Sequence, residues 1–160
     1  MAKDRVMTVD TGNMAPDFTL PRDGGGSVTL SALRPGKVVL YFYPKDDTPG
    51  CTIEAIDFTA RRDAFAAAGT TVIGLSKDSA ESHDKFCRKH GLGIVLASDE
   101  AGRTCEDYGV WVEKSMYGKT YMGIERTTFL IDAEGRIARA WRKVKVDGHA
   151  DEVLAAAQAL

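Results

Sequence analysis

The sequence predicts a single α/β domain whose central sheet contains both parallel and antiparallel strands. Two apolar runs, residues 38–43 and 71–76, have the length and composition of strands buried on both faces, and a helical pattern follows each. Near the C-terminus, two more apolar runs, 127–131 and 137–141, flank a turn sequence at 132–135 that is typical of a β-hairpin. Strands alternating with helices favour a parallel sheet, and the hairpin adds antiparallel strands to it.

The remaining elements follow from turn and helix signals along the chain. Short strands at 17–20 and 27–30, joined by a Gly-rich turn at 23–26, predict an N-terminal β-hairpin. Ser31 can cap one helical turn, and a third buried strand is expected at 94–96. We predict helices over 51–68, from Asp78 or Ser79 to about His90, and over 148–160, with a short helix after Asp99 and a loop over 111–123.

Composition excludes several functional classes. The 160 residues, with no linker or repeat, are enough for one domain spanning 1–160. Lysines and arginines are scattered and the net charge is −2, so nothing indicates binding to nucleic acid or to an anionic membrane. Residues 1–14 lack the apolar core of a signal peptide, and no apolar run approaches a membrane span. A cytoplasmic protein is therefore expected, and its three cysteines do not suggest a disulfide scaffold.

The octapeptide at 44–51, Pro-Lys-Asp-Asp-Thr-Pro-Gly-Cys, joins the first central strand to the helix after it. Pro44 ends the strand, Thr48 can cap the helix, Pro49 suits its first position and Gly50 permits close approach to the backbone. Cys51 therefore lies in the first turn of a helix. We expect the following apolar residues, Ile53, Ile56, Phe58, Ala60 and Phe65, to favour one side of it, with the polar Glu54, Asp57, Arg61 and Arg62 between them.

A reactive cysteine at this position needs a second source of positive charge. The nucleophile is the thiolate, and an ordinary thiol with a pKa of about 8.5 is mostly protonated at pH 7. Lowering a thiol pKa to about 6 requires roughly 3.4 kcal/mol, whereas a helix N-terminus supplies at most about 2 kcal/mol. If strand 127–131 pairs antiparallel with strand 38–43, Arg126 lies beside the octapeptide. A surface ion pair of Arg126 with Glu125 or Asp132 is the alternative. For Cys51 itself, the alternative is simple packing.

The other two cysteines allow different interpretations. Cys87 lies in a predicted helix, with His83 and His90 on the same face. It is a packed residue, part of a metal site with those histidines, or a thiol that reacts with Cys51. The metal site is the weakest of these, because zinc usually takes three or four protein ligands. Cys105 has the spacing of a core residue, and no pair of cysteines forms a Cys-x-x-Cys motif.

With these residues in place, the chain resembles the peroxiredoxins. Pro44-x-x-x-Thr48-x-x-Cys51 is similar to the family's active-site signature, and Arg126 within 125–132 is similar to its second element. The segments 99–110 and 116–119 also resemble the peroxiredoxin Q group, also called bacterioferritin comigratory protein (BCP). The resemblance covers nearly all of residues 10–158. It implies a thioredoxin-like fold and thiol-dependent reduction of hydroperoxides, with no cofactor and no metal.

The resemblance also implies roles for individual residues. Cys51 is expected to be the peroxidatic residue that becomes a sulfenic acid. Thr48, the Cys51 amide and Arg126 would hold the peroxide oxygens, while Pro44 and Pro49 would shield the sulfur. Many members of the group carry a resolving cysteine five residues later, where this chain has Ile56.

That departure leaves two possibilities, a one-Cys enzyme or resolution by another thiol. Cys87 lies on the helix where another subset of the group carries its resolving residue, so we favour Cys87 and an intramolecular disulfide. The first turn around Cys51 and part of the Cys87 helix should then unwind on oxidation. The expected reductant is thioredoxin, or a glutaredoxin-type donor, and the group resemblance suggests a monomer.

Two other functions compete with peroxide reduction. A Cys–His hydrolase would use His83, His90 or His149, although no local signature places a histidine beside Cys51. A redox sensor or holdase would use the same Cys51 chemistry to pass oxidation to a partner. Catalytic turnover with a saturating reductant separates these possibilities.

Overall fold

The computed structural model describes residues 9–160 and confirms a mixed α/β architecture. The strands and α-helices in this range are β1 (Thr19–Pro21), β2 (Ser27–Thr29), β3 (Lys37–Phe42), α1 (Pro49–Ala60), α2 (Arg62–Ala67), β4 (Thr70–Ser76), α3 (Ala80–His90), β5 (Val95–Ser98), α4 (Thr104–Asp107), β6 (Trp111–Met116), β7 (Lys119–Ile124), β8 (Thr127–Ile131), β9 (Ile137–Trp141) and α5 (His149–Ala159). Five of these strands form a sheet in the order β9-β8-β3-β4-β5. Strand β3 pairs in parallel with β4 and antiparallel with β8, and β8 and β9 form the predicted hairpin.

The central strand β3 divides the core into two layers. Alternate side chains of a strand point to opposite faces of a sheet. Leu40 and Phe42 accordingly join one hydrophobic cluster, with the N-terminal hairpin and α4, whereas Val39 and Tyr41 join another, with α1, α2, α3 and α5. Because both faces are covered, β3 is apolar throughout rather than alternating. Its carboxyl end leads into the octapeptide, whose first two residues, Pro44 and Lys45, are exposed.

The helix predicted over 51–68 differs from the structure in extent and orientation. It begins at Pro49 and is interrupted at Arg61, so that α1 and α2 are separate helices. Ile53 and Ile56 are 53% and 43% exposed, and Ala60 is exposed, whereas Glu54 is buried. The predicted apolar face was therefore wrong for these residues, although Phe58 and Phe65 are buried as expected. The Glu54 carboxylate occupies the inner face because Arg126, the residue before β8, pairs with it there.

The segment 111–123, predicted to be a loop, is an antiparallel hairpin. Strands β6 and β7 pair from Trp111↔Ile124 to Met116↔Lys119. Tyr117 and Gly118 connect them with φ values of 53° and 77°, which matches a two-residue hairpin turn. Both strands are largely exposed, so the alternation that identifies a half-buried strand is missing from the sequence.

A single 3₁₀ turn, Leu30–Leu33, lies where one helical turn was expected, but its N-cap residue is Thr29. The hydroxyl of Ser31 donates to Asp17 instead, so the predicted capping role of Ser31 was wrong.

The other elements agree with prediction to within a few residues at their ends. Ser79 caps α3 by accepting a hydrogen bond from the amide of Ser82, and Gly91 ends that helix in the left-handed region. Asp99 does not begin a helix directly; its carboxylate accepts the amides of Thr104 and Cys105 at the start of α4. Of the polar segment 1–14, residues 1–8 lie outside the described part. Among the described helices, none has the length and apolar character needed to cross a bilayer.

Candidate active site

Cys51 lies in the first turn of α1, as the sequence predicts. Strand β3 ends at Phe42, the chain crosses the octapeptide, and α1 begins with Thr48 at the N-cap position and Pro49 as its first residue. The side chain of Cys51 is buried, with 1% of the residue exposed. The first turn of a helix carries amides without an intrahelical partner, and their partial positive charge favours an anion nearby.

Arg126 supplies the second positive charge. Strand β8 runs antiparallel to β3 with Phe42 opposite Thr127, so Arg126 lies beside the end of β3. Its Nη2 atom donates to the Sγ of Cys51 at 3.4 Å. A guanidinium this close interacts favourably with a thiolate. The predicted proximity of Arg126 to the octapeptide is thus confirmed, and the alternative of a surface ion pair with Glu125 or Asp132 is not observed.

Gly50 leaves room for that guanidinium. A Cβ atom on residue 50 would lie 3.2 Å from Nη2 of Arg126, which is tighter than most contacts of real Cβ atoms. A residue with a side chain at position 50 would therefore require the Arg126 guanidinium to shift by a few tenths of an ångström. The glycine of the octapeptide serves this close approach rather than a positive φ.

Glu54 is a member of the site that the sequence analysis missed. It lies on the same inner face of α1 as Cys51, and its Oε1 accepts from Nη1 of Arg126 at 2.6 Å. Arg126 therefore uses one nitrogen for the carboxylate and the other for the sulfur, which a planar guanidinium does without strain. The signal was present as a charged residue three positions after Cys51, but a single sequence does not show that it faces inward.

Burial sets the ionisation of Glu54. Removal from water raises the pKa of Glu54 to about 7, although the charge and hydrogen bond of Arg126 act in the opposite direction. Its second oxygen, Oε2, is buried without a hydrogen-bond partner. Arg126 shows the complementary effect: burial acts to lower its pKa, but Glu54 and Cys51 together raise it, so the guanidinium stays charged.

We expect this buried carboxylate to make folding stability depend on pH. The folded-state pKa of Glu54 is raised from 4.5 to about 7, so the folded protein binds a proton more tightly than the unfolded chain. The free energy of unfolding should fall as the pH rises from about 4.5 to about 7, by roughly 3 kcal/mol at most. Glu54→Gln should remove this slope. Urea unfolding of both proteins at pH 5, 6, 7 and 8 measures it, and parallel pH profiles would contradict the assignment.

Thr48 forms a different hydrogen bond from the one expected. It occupies the N-cap position, but its hydroxyl makes no capping hydrogen bond to the helix amides. Instead, Oγ1 donates to the backbone oxygen of Lys45 at 2.9 Å. With its proton committed to that carbonyl, the hydroxyl oxygen is left as an acceptor. The predicted capping role is therefore wrong, and the acceptor is compatible with a substrate O–H group.

A cavity of about 360 Å³ lies on the outer side of the octapeptide. Pro44 and Lys45 contribute one wall, and Lys77, Trp111 and Lys114 are among the residues that contribute the others. Burial and the charge of Arg126 lower the pKa of Lys114, while the charge of Cys51 acts to raise it. The β6–β7 hairpin therefore brings a cation and apolar side chains towards the Cys51 site, which sequence reasoning about a loop did not anticipate.

Cys87 lies on α3 and is half-buried. Its Sγ donates to Oδ2 of Asp23, in the turn between β1 and β2, at 3.7 Å. Burial, together with the charge and hydrogen bond of Asp23, raises the pKa of Cys87 to about 12. All three cysteines are free, and both α1 and α3 are intact helices. In this conformation Cys87 is a neutral thiol on a folded helix.

Cys105 and the three histidines lie where they support neither a metal site nor a hydrolase. Cys105 is fully buried, as predicted for a packed residue, and burial together with Asp99 raises its pKa. Among residues 9–160, no group of His, Cys, Asp and Glu side chains suits a metal ion, which leaves the metal interpretation of Cys87 without support. The histidines bond elsewhere: His83 to Asp46, His90 to Asp47 and His149 to Thr128. A Cys–His hydrolase therefore has no support in the described residues.

Comparison with known proteins shows which family this chain is similar to. A model of the AhpC/TSA family matches residues 11–140. Peroxiredoxin Bcp of Bacillus subtilis is 50% identical over 148 residues, covering 92% of this chain and 94% of that protein. Peroxiredoxin Bcp of Escherichia coli is 44% identical over 143 residues, covering 89% of this chain and 92% of that protein.

Solved structures agree with this assignment. A trapped intermediate/ligand complex of Xanthomonas campestris bacterioferritin comigratory protein, described for its alkyl peroxide reduction activity, superimposes with a TM-score of 0.87 at 47% identity, covering 94% of this chain and 98% of that one. A structure of peroxiredoxin Q from the same organism has a TM-score of 0.85 at 51% identity, covering 89% of this chain and 90% of that one. The thioredoxin-like fold implied by the sequence resemblance is thereby confirmed.

Proposed function

We propose that this chain, which belongs to the AhpC/TSA family and within it to the Bcp peroxiredoxins, reduces hydrogen peroxide and organic hydroperoxides with Cys51 as its peroxidatic residue. The observation that carries the proposal is the contact between Sγ of Cys51 and Nη2 of Arg126 at a helix N-terminus. It provides a buried sulfur with two sources of positive charge, the condition that the sequence analysis set for a reactive thiolate.

The first step is a displacement at oxygen. The Cys51 thiolate attacks the terminal oxygen of ROOH, a sulfur–oxygen bond forms and the O–O bond breaks. The leaving oxygen takes a proton from solvent and departs as ROH or water, while the sulfur keeps the transferred O–H group and is oxidised to a sulfenic acid. Arg126 is placed to stabilise the charge that moves onto the leaving oxygen, and the oxygen of Thr48 is free to accept from the peroxide O–H.

The second step is resolution by Cys87. Its sulfur attacks the Cys51 sulfur, the S–O bond breaks, and the hydroxide leaves as water after taking the proton of the Cys87 thiol. Because burial and Asp23 raise the pKa of Cys87 to about 12, that thiol is a poor nucleophile in the closed fold. Local opening of α3 and of the first turn of α1 would expose it and bring the two sulfurs together. An external dithiol such as thioredoxin, or a glutaredoxin-type donor, then reduces the disulfide.

The proposal is tested by turnover. Purified protein should catalyse peroxide-dependent oxidation of a thioredoxin–thioredoxin reductase–NADPH system with hydrogen peroxide and with tert-butyl hydroperoxide. Absence of donor oxidation with both peroxides, for thioredoxin and for a glutaredoxin system alike, would contradict a peroxidase function. The cytoplasmic location and the monomeric state stay predictions.

Cys87→Ser should separate the two steps. We expect one sulfenic acid to form per chain at an unchanged rate, and thioredoxin-supported turnover to fall at least about tenfold because no disulfide forms for the reductant to attack. Non-reducing peptide mapping after one equivalent of peroxide should show a Cys51–Cys87 link in the natural protein and none in the variant. A link to Cys105 instead would overturn the choice of resolving residue.

A further inference from the structure

Asp46 and His83 form a buried pair between the octapeptide and helix α3. Nδ1 of His83 lies 2.7 Å from Oδ2 of Asp46, and the side chain of His83 is fully buried. Asp46 belongs to the segment that carries Cys51, and His83 lies one helical turn before Cys87. The pair therefore connects the two segments whose thiols must meet. Neither the peroxide step nor the resolving chemistry uses it.

The hydrogen-bond partners of His83 suit a charged imidazolium. Its other ring nitrogen, Nε2, lies 2.9 Å from the backbone oxygen of Ala97, which only accepts. Both ring nitrogens consequently donate, one to a carbonyl and one to a carboxylate. Burial opposes this charge, but Asp46 and the Ala97 carbonyl outweigh it, and the pKa of His83 is raised above its ordinary value. The contact is a buried ion pair with its donors satisfied.

The Asp46 carboxylate accepts two hydrogen bonds from side chains of α3 and a third from Tyr43, the residue after β3. Oδ2 receives the His83 ring and the hydroxyl of Ser82 at 2.8 Å, and Oδ1 receives the hydroxyl of Tyr43 at 2.6 Å. The amide of Asp46 in turn donates to Asp78, which precedes α3. Opening of α3 would leave this carboxylate with one side-chain donor and partly shielded from water. Losing donors to a buried charge is costly, so the pair opposes opening.

We propose that the Asp46–His83 pair is a latch that holds α3 closed and thereby sets how fast Cys87 reaches oxidised Cys51. This inference rests on the proposed function, because it presupposes resolution by Cys87. When the latch opens slowly, the Cys51 sulfenic acid persists and can meet a second peroxide. That peroxide transfers an oxygen to the sulfur and is itself reduced to ROH, and the product is a sulfinic acid. The fraction of sulfenic acid that becomes a disulfide rather than a sulfinic acid therefore depends on three positioning residues, His83, Ser82 and Asp46.

Two variants test the latch at different strengths. His83→Gln removes the ion pair, and we expect disulfide formation to become about tenfold faster. Ser82→Ala removes one donor and replaces serine by a better helix former, which should stabilise α3 if only helix propensity matters. We expect it nevertheless to accelerate disulfide formation about threefold. If His83→Gln does not fold, Ser82→Ala alone still decides the question.

A matched control removes an exposed contact between the same two segments. Lys89, also on α3, pairs with Asp47 of the octapeptide at 2.7 Å, and its side chain is mostly exposed. An exposed pair contributes little to stability. Lys89→Gln should therefore leave the rate of disulfide formation within about twofold of the natural protein. An acceleration equal to that of Ser82→Ala would show that any contact to α3 suffices and would overturn the latch.

The readouts are rates of individual steps. Rapid quenching with an alkylating reagent, followed by mass spectrometry, measures sulfenic acid formation in a Cys87→Ser background and disulfide formation in the parent background. The latch predicts unchanged sulfenic acid formation, faster disulfide formation and less sulfinic acid at high peroxide. Unchanged or slower disulfide formation in a folded variant overturns it. If the natural protein forms no Cys51–Cys87 disulfide at all, the resolution step of the proposed function fails instead.

Discussion

Cys51→Ser is expected to abolish peroxide reduction, with a loss of at least about a thousandfold in kcat/KM. A serine hydroxyl at this position is not ionised near neutral pH, so the hydrogen bond from Arg126 and the helix amides have no anion to stabilise. The nucleophile is lost while its surroundings persist. Peroxide consumption in the thioredoxin-coupled assay and mass spectrometry of peroxide-treated protein both measure this loss.

Cys105→Ser is the matched control for this variant. Cys105 is also a buried cysteine, and it lies on the opposite face of the sheet, in the other hydrophobic cluster. Burial, together with the charge and hydrogen bond of Asp99, raises the pKa of the Cys105 thiol. The Asp99 carboxylate can accept a hydrogen bond from a serine hydroxyl instead of the thiol. Activity should stay within about twofold of the natural protein. A loss comparable to that of Cys51→Ser would show that the chemistry does not reside at the end of β3.

Arg126→Gln should have the second largest effect, on activity and on stability together. Removing one fixed donor from a reacting site typically costs a factor of about 100 to 1,000 in rate, and here the same residue also holds the sulfur. The substitution leaves Glu54 buried with both oxygens unpaired, since Oε2 already lacks a partner. Breaking a buried ion pair on one side costs about 3–5 kcal/mol, less whatever protonation of Glu54 relieves.

A double substitution separates the two consequences. Arg126→Gln with Glu54→Gln replaces the ion pair by two neutral amides and should recover much of the stability. The rate of sulfenic acid formation should stay low, because neither amide supplies a positive charge to Cys51. Urea unfolding and single-turnover oxidation measure the two properties. Recovery of both would mean that Arg126 acts only by keeping the fold intact.

Arg126→Lys distinguishes charge from geometry. Arg126 reaches Cys51 and Glu54 through two different nitrogens at 3.4 Å and 2.6 Å. A single ammonium group cannot reproduce that fork, although it retains the charge. We expect an intermediate loss, smaller than for Arg126→Gln. A rate for sulfenic acid formation equal to that of the natural protein would show that charge alone suffices.

The sequence predicted the elements that carry a local signal. The buried strands, the caps and stops of α3, and the place of Cys51 at the start of a helix followed from apolar runs, prolines, glycines and Ser79. The position of Arg126 followed from one assumed pairing, that of β8 with β3, which the register of Phe42 opposite Thr127 confirms. Each of these depends on neighbours along the chain or on a single topological choice.

The errors share a different cause. Periodicity placed Ile53 and Ile56 inside and Glu54 outside, whereas the structure has the reverse. A charged residue is buried when a distant segment supplies its partner, and Arg126 lies 72 positions away. The β6–β7 hairpin was missed because its side chains are mostly exposed and because, among residues 9–160, its strands pair only with each other.

The chain by itself determined the family, since the octapeptide and the segment around Arg126 are local motifs similar to those of the peroxiredoxins, and it indicated Cys51, Arg126 and Cys87 as candidate site residues. Only the tertiary structure decided what surrounds them. It placed Glu54 against Arg126, Asp23 against Cys87, and Asp46 against His83. Each of these contacts joins a carboxylate to a group far along the chain, and its strength depends on burial, which local sequence does not encode.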